Sequence, residues 1–297
     1  MLLVFFCLLD IIKLIKRLQS ERGFTMKTKL IAIDIDATLI NDQKEIMPQT
    51  KHELKKLSND GFKIVLCSGR AITGLEPYLK ELDLWGRKNQ YAIAFNGGNV
   101  YLLEKLNSVA ASYLTDEETI QLDQLAHQLD VNGEVVTSKS NAYVVNGDMS
   151  VYADVDRKDS RLNFYQVSGY EFLENENVQK YLWTDHPDVI SKKIEEIPAE
   201  YFDKYQIVRS GPIFLEFLPK NVSKGNAVQA LAQKLKIDLE DVIAFGDEEN
   251  DLSMFNVAGT AVAMKNARDE IKKAANMISL DDNNHDGIGK TLVKMFG

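Results

Sequence analysis

Asp34 and Asp36 stand two residues apart in Asp34-Ile35-Asp36-Ala37-Thr38-Leu39, directly after a short apolar run. Side chains at i and i+2 of a strand point the same way, so both carboxylates are directed together. Like charges held so close are costly unless a cation neutralises them or one keeps a proton. The pair therefore predicts a hard metal ion. A second acidic segment, Gly246-Asp247-Glu248-Glu249-Asn250-Asp251, follows a later apolar run and adds carboxylates and an amide. Oxygen ligands gathered from separate segments suit Mg²⁺, which takes few protein carboxylates and keeps waters or substrate oxygens. Alone, each segment has a plainer reading, as exposed loop acids or as a helix-capping turn. Two of them at one edge of one sheet form a strong signal.

Two further segments have the spacing of anion holders. Ser68-Gly69-Arg70 ends another apolar run, where a hydroxyl and backbone N–H groups at a helix start can accept an anion; by itself it also reads as an N-cap serine with a turn glycine. Lys224, in Val222-Ser223-Lys224-Gly225-Asn226, stands at a helix start, where the dipole disfavours a cation. Something negative should face it, unless it is simply a solvated surface lysine.

The elements that must position these groups are legible from the apolar patterning. The runs at 30–33, 64–67, 91–95 and 242–245 lack polar alternation, as strands covered on both faces do. Helical stretches lie between them at Pro48–Asn59, 223–235 and 266–277. This order predicts an α/β fold, a doubly wound parallel sheet whose ligand crevice lies at the carboxyl ends of its strands. From about 106 to 211 the texture changes. Residues 115–131 read as an acidic helix opened by a Thr115/Glu118 capping box, 188–196 as a second helix, 142–146, 163–167 and 181–184 as strands, and 206–209 with 213–218 as a strand pair turning at Gly211-Pro212. This is α+β material inserted into an α/β domain.

The 297 residues carry 35 Lys+Arg against 44 Asp+Glu, a net charge of −9, with 45% hydrophobic positions. That excludes a disordered chain, and the acidic balance disfavours nucleic acid or an anionic membrane surface as partner. Two cysteines, Cys7 and Cys67, supply neither a disulfide framework nor a zinc tetrad and fit a cytoplasmic setting; Cys67 reads as a small buried hydrophobe. The apolar stretch 1–9 is too short to span a membrane and lacks the flanks of a secretory signal. Residues 1–25 are read as an extension translated ahead of Met26. They hold four of the basic and two of the acidic residues, so the remainder is more acidic still.

Asp-x-Asp-x-Thr, Ser-Gly-Arg, Lys-Gly-Asn and Gly-Asp-x-x-Asn-Asp, in this order, resemble the haloacid dehalogenase superfamily. The long insert between the second and third motifs resembles its type IIB, or Cof-type, branch. Asn96-Gly97-Gly98 is similar to a sugar-phosphatase-like asparagine-glycine turn, Asn283-Asn284-His285-Asp286-Gly287-Ile288 resembles the branch's closing segment, and Pro77-Tyr78-Leu79-Lys80-Glu81-Leu82 and Phe214-Leu215-Glu216 are most similar to broad-specificity bacterial sugar phosphatases. The resemblance implies a core at 26–109 and 212–297 and a C2B-type α+β cap at 110–211. It further implies a Mg²⁺-dependent phosphatase for small phosphorylated metabolites, sugar phosphates first. Asp34 would be the nucleophile that becomes an aspartyl phosphate, and Asp36 the general acid and base. Asp34, the backbone oxygen of Asp36, and Asp247 would hold the metal, with Asp251 in or just behind that shell and Glu248 nearby. Ile35, Ser68, Gly69, Lys224 and Asn250 would bind phosphoryl oxygens.

Closure of the cap would exclude water. Tyr143, Tyr152, Trp183, His186 and Arg209 are candidate sugar contacts, although each aromatic reads more readily as core. A phosphosugar mutase shares these features, and a non-enzymatic phospho-acceptor would need neither the Gly-Asp segment nor the cap. Ala37 stands where the branch usually has glycine, so a small backbone adjustment without loss of activity is expected.

Overall fold

A computed structural model describes residues 29–297; the extension at 1–25 lies outside the described residues. An eight-stranded sheet is built from β1 (Leu30–Ile33), β2 (Lys63–Cys67), β3 (Tyr91–Ala94), β4 (Asn99–Leu102) and β5 (Asn107–Ala111). After an insertion it is completed by β12 (Val242–Gly246), β13 (Thr260–Ala263) and β14 (Met277–Ile278), in the order β14-β13-β12-β1-β2-β3-β4-β5. The six strands from β14 to β3 pair in parallel, while β4 and β5 add an antiparallel edge.

The unbroken apolar runs are explained by the two faces of this sheet. On β1, Ile31 and Ile33 pack into one core cluster while Leu30 and Ala32 pack into another, so no residue of the strand meets water. The chain runs from β1 to β2 and β3 on one side, and β12 returns on the other side of β1. That reversal opens a crevice at the carboxyl ends of β1, β2 and β12. Asp34, Ser68 and Asp247 each follow one of these strands.

The insertion carries β6 (Gly133–Thr137), β7 (Asn141–Val145), β8 (Asn163–Val167), β9 (Val178–Thr184), β10 (Tyr205–Gly211) and β11 (Phe214–Pro219). They form a second sheet in the order β10-β11-β9-β6-β7-β8. A join at 211/212 would split the β10–β11 hairpin: β11 pairs with β9 and belongs to the cap sheet. The core sheet likewise continues to Ala111, past the expected join at 109. The apolar run of β11 looks like a core strand, and only its partner tells the difference.

Helix α1 (Pro48–Asn59) opens with proline at its first position, and α2 (Ile72–Glu81) follows β2. In the cap, α3 (Asp116–Gln128) has the Thr115/Glu118 capping box, and α4 (Ala153–Ser160) lies between β7 and β8. Beyond the cap, α5 (Lys224–Leu235) is capped by the Ser223 hydroxyl, which accepts from the Asn226 N–H at 3.1 Å. The helix expected over 266–277 shortens to Asp269–Ala274, because Met277 and Ile278 pair with β13 as the edge strand. Among the described residues, no helix is long and apolar enough to cross a membrane.

One cap residue is costly. Glu134 on β6 is buried, and neither carboxyl oxygen has a hydrogen-bond partner. Burial pushes its carboxyl well above the usual range, the charge of Asp156 pushes it further, and Lys180 opposes both. Glu134 therefore keeps a proton in the fold that the unfolded chain loses, so stability falls as pH rises from the ordinary glutamate range toward the folded value. Glu134→Gln should raise the melting temperature by a few degrees, more at pH 8 than at pH 5. Thermal melts at the two pH values check this, and an equal or absent gain would mean that Glu134 is ionised in the fold.

Candidate active site

Asp34 is nearly buried at the end of β1, where its N–H donates to the Phe245 carbonyl of β12 at 3.0 Å. Lys224, 1% exposed, donates its ammonium to Asp34 Oδ1 at 2.5 Å and to Asp251 Oδ1 at 2.7 Å. The negative groups that a cation at a helix start required are these two carboxylates. Asp251 Oδ2 accepts from the N–H groups of Asp247 at 2.9 Å and Glu248 at 3.2 Å, so both its oxygens are engaged. Asp247 Oδ1 accepts from the Thr38 hydroxyl at 2.6 Å, which gives the threonine of the first motif a role.

Carboxylate oxygens of Asp34, Asp247 and Asp251, all buried, lie within 4.8 Å of one another. Three carboxylates against one lysine leave an excess of two negative charges. Burial pushes the Asp34 carboxyl up to about 7, with Asp251 and Asp36 adding to the rise and Lys224 opposing it. Asp247 is pushed up to about 8 by burial and by the charges of Asp34 and Asp251. Such oxygens hold protons unless a cation takes their place. An all-oxygen donor set with two uncompensated charges fits a hard divalent ion.

Asp36 stands at the mouth of the crevice. Its carboxylate accepts from Arg70 Nε at 2.8 Å and Nη2 at 2.5 Å, and from the Lys44 ammonium at 3.2 Å. Burial pushes its carboxyl up, but the two cations together outweigh that and hold it below the usual range. Asp36 is thus a carboxylate in this closed form, and a weak acceptor of a proton while both cations hold it. To donate one, it must first loosen its grip on Arg70.

Ala37, beside it, has φ 53°. An alanine there costs about 1 kcal/mol that glycine does not pay. Ala37→Gly should stabilise the protein by about 0.5 kcal/mol after the entropy of a freer unfolded chain, leaving turnover within about twofold. A denaturant melt and a rate measurement check both, and a destabilised glycine variant would contradict them.

The cap is closed over this crevice. Arg70 Nη1 donates to the Asp159 carbonyl at the end of α4 at 2.7 Å, the Thr73 hydroxyl donates to the Ser160 carbonyl at 2.7 Å, and Lys44 pairs with Asp159 at 3.1 Å. Between cap and core lies a cavity of about 290 Å³. Asp34, Asp36, Ser68, Gly69 and Asn250 line its floor; Asp156, Lys180, Ser210 and Glu216 are polar groups of its roof. Lys224, Asp247 and Asp251 are packed behind Asp34, outside that lining. The Ile35 side chain is in the hydrophobic core, so only its backbone can face a ligand.

Several site residues are not legible in the sequence. Lys44 comes from a turn, Asp156 and Asp159 from helix α4 and Lys180 from the cap sheet, none with a motif of its own; Arg70 is visible in its motif but not as the partner of Asp36. Tyr143 and Trp183 are in the core of the cap, His186 caps a helix, and Arg209 bonds Ser191 and the Pro187 and Pro212 carbonyls. Cys67 is buried, and burial pushes its thiol up, which makes it inert.

A buried aspartate, a lysine and two further acids at the switch point of a parallel sheet, under a closing cap, define a hydrolase of the phosphoryl-transfer type. The profile of the haloacid dehalogenase-like hydrolases matches residues 31–292, and the chain belongs to that family. The chain is a phosphatase of that family, and its fold, cap included, is similar to that of a subclass IIB sugar phosphatase of the family at a TM-score of 0.73 and 23% identity. YxeH of Bacillus subtilis is 36% identical over 262 residues, covering 86% of this chain and 94% of that protein. The 5-amino-6-(5-phospho-D-ribitylamino)uracil phosphatase YwtE of Bacillus subtilis is 28% identical over 284 residues, covering 88% and 95%. The crystal structure of a haloacid dehalogenase-like hydrolase from Bacteroides thetaiotaomicron superposes with a TM-score of 0.80 at 27% identity, covering 91% of this chain and all of that one.

Proposed function

We propose that the protein is a Mg²⁺-dependent phosphatase that hydrolyses small phosphorylated metabolites, sugar phosphates first, through an aspartyl phosphate on Asp34. The observation that carries this reading is the Asp34–Lys224–Asp251 ion triple with Asp247 alongside, whose Asp34 lines the floor of one cavity together with Asp36. Asp34, Asp247 and the backbone of Asp36, with Asp251 behind them, would hold the ion. When bound, it would neutralise the acids and draw charge from the phosphoryl oxygens.

The chain's own residues do the rest. A carboxylate oxygen of Asp34 forms a bond to phosphorus as the ester P–O bond breaks. Asp36, once protonated, gives its proton to the departing alkoxide. It then takes a proton from water, whose oxygen attacks phosphorus and returns Asp34 as a carboxylate. Lys224 holds Asp34 in place, and Ser68, Gly69, Asn250 and the backbone of Ile35 bind phosphoryl oxygens. The roof supplies acceptors and donors at Asp156, Lys180, Ser210 and Glu216, which suits a small, hydroxyl-rich leaving group.

A phosphate-release screen over sugar phosphates, phosphorylated cofactors and the phosphoribitylamino-uracil ester tests the reading. Hexose and pentose phosphates should be turned over with Mg²⁺, and EDTA should abolish the rate. Activity that survives EDTA removes the metal from the account; release from the uracil ester alone moves the substrate to that class.

A further inference from the structure

The turn after β3, at Phe95–Gly97, reaches most of the groups assigned to phosphoryl binding. Asn96 takes a left-handed conformation, φ 52° and ψ 31°, and its N–H donates to the Ser68 carbonyl at 2.9 Å. A Cβ on Gly69 would fall 2.9 Å from Asn96 Nδ2 and 3.1 Å from Glu216 Oε1, so this pair is packed directly over Gly69. Gly97, at φ +100°, would place a Cβ 2.1 Å from the Ser223 carbonyl, so the turn also abuts the start of the helix that carries Lys224.

Side-chain bonds run through the turn in one direction. Lys180 donates to Glu216 Oε1 at 3.2 Å, and the Ser210 hydroxyl donates to the same oxygen at 2.6 Å. Glu216 Oε2 accepts from Asn96 Nδ2 at 2.9 Å, and Asn96 Oδ1 accepts from Asn250 Nδ2 at 3.1 Å. Glu216 and Asn96 are each 2% exposed, so each depends on its partners in the fold and losing one is costly. A carboxylate only accepts. Glu216 therefore fixes which end of the Asn96 amide points to it, which fixes the other end as the acceptor that orients Asn250. Glu216, Lys180 and Ser210 belong to the cap sheet; Asn96 and Asn250 belong to the core.

We infer that Glu216 and Asn96 are positioning residues through which the closed cap sets the orientation of Asn250, and with it the affinity of the site for the phosphoryl group. The inference rests on the placement of Asn250 at that group proposed above. It explains why a full carboxylate is kept between strands of a small cap, where a neutral residue would be cheaper to bury.

A charge swap tests it, with inorganic phosphate as a competitive inhibitor of the Mg²⁺-loaded full chain. Glu216→Gln alone sets two N–H donors face to face, and Asn96→Asp alone sets two carboxylates face to face. Each should weaken phosphate about tenfold or more. In N96D/E216Q, the introduced glutamine still accepts from Lys180 and Ser210 and donates to the introduced aspartate, which still accepts from Asn250. The double variant should bind phosphate within about threefold of the parent.

A loss and rescue of affinity in variants whose melting temperatures match the parent separates positioning from loss of fold, and melting temperatures also show whether the single variants fold. If a single variant fails to fold, the affinity of the double variant against Asn250→Ala decides: near-parental affinity in the first with a loss in the second supports the relay, and equal losses overturn it. Additive losses in the double variant, or no loss in either folded single variant, overturn it as well while leaving Asn250 in place. An Asn250→Ala variant with unchanged phosphate affinity overturns both the relay and the assignment of Asn250 beneath it.

Discussion

Asp34→Asn is expected to lower phosphate release by about 10⁴-fold or more, since an amide cannot form the acyl phosphate that splits hydrolysis into two steps. The change keeps the shape of a nearly buried side chain and leaves one oxygen to accept from Lys224. The fold should therefore persist while turnover disappears. Rapid acid quenching of the parent enzyme with radiolabelled substrate should trap labelled protein, and the variant should trap none. Near-normal turnover by Asp34→Asn would remove the covalent step altogether.

Lys224→Met should cost both stability and rate. Its ammonium lies between Asp34 and Asp251, and removing one partner of such a buried group typically costs about 3–5 kcal/mol. At about 2–4 °C per kcal/mol the melting temperature should fall by about 10 °C, and kcat by about 10³-fold through the loss of a held nucleophile and a fixed positive charge.

The sign with pH is fixed as well. Lys224 opposes the rise of the Asp34 carboxyl, so without it Asp34 clings to its proton to still higher pH. A carboxyl raised in the fold loses stability as pH increases, so the deficit should be larger at pH 8 than at pH 5. Mg²⁺ should shrink it by neutralising the same acids. A variant that melts like the parent at pH 8 would show that Lys224 does not hold these acids in the fold.

What the sequence discloses follows from where each signal originates. Strands β1, β2, β3 and β12 can be read because burial on both faces leaves unbroken apolar runs. Helix α1 can be read from its opening proline, and α3 from its capping box. The acids and Ser68 are visible because their chemistry needs fixed types at strand ends, and Lys224 because a cation at a helix start is out of place. The β10–β11 hairpin can be read from its turn at Gly211-Pro212, but pairing between distant strands is not visible: β11 looks the same whether its other neighbour is β9 or a core strand, and the tiny β14 has no pattern of its own. The grip of Arg70 and Lys44 on Asp36, and the Glu216–Asn96–Asn250 chain, depend on which segments meet in the fold, the latter across more than a hundred residues. No local spacing encodes that.

Strand β1 is flanked by β2 and by β12, whose register begins at Leu30↔Val242. During synthesis at about 5–20 residues per second, the first strand waits about 10–40 s for that neighbour to emerge from the ribosome. For this interval one flank of β1 stays open, and Asp34 has neither Lys224 nor Asp247 beside it. A nascent chain can complete its cap before its catalytic floor, so the half-made protein should be inert toward phosphate esters and a natural client for chaperones that shield exposed strand edges.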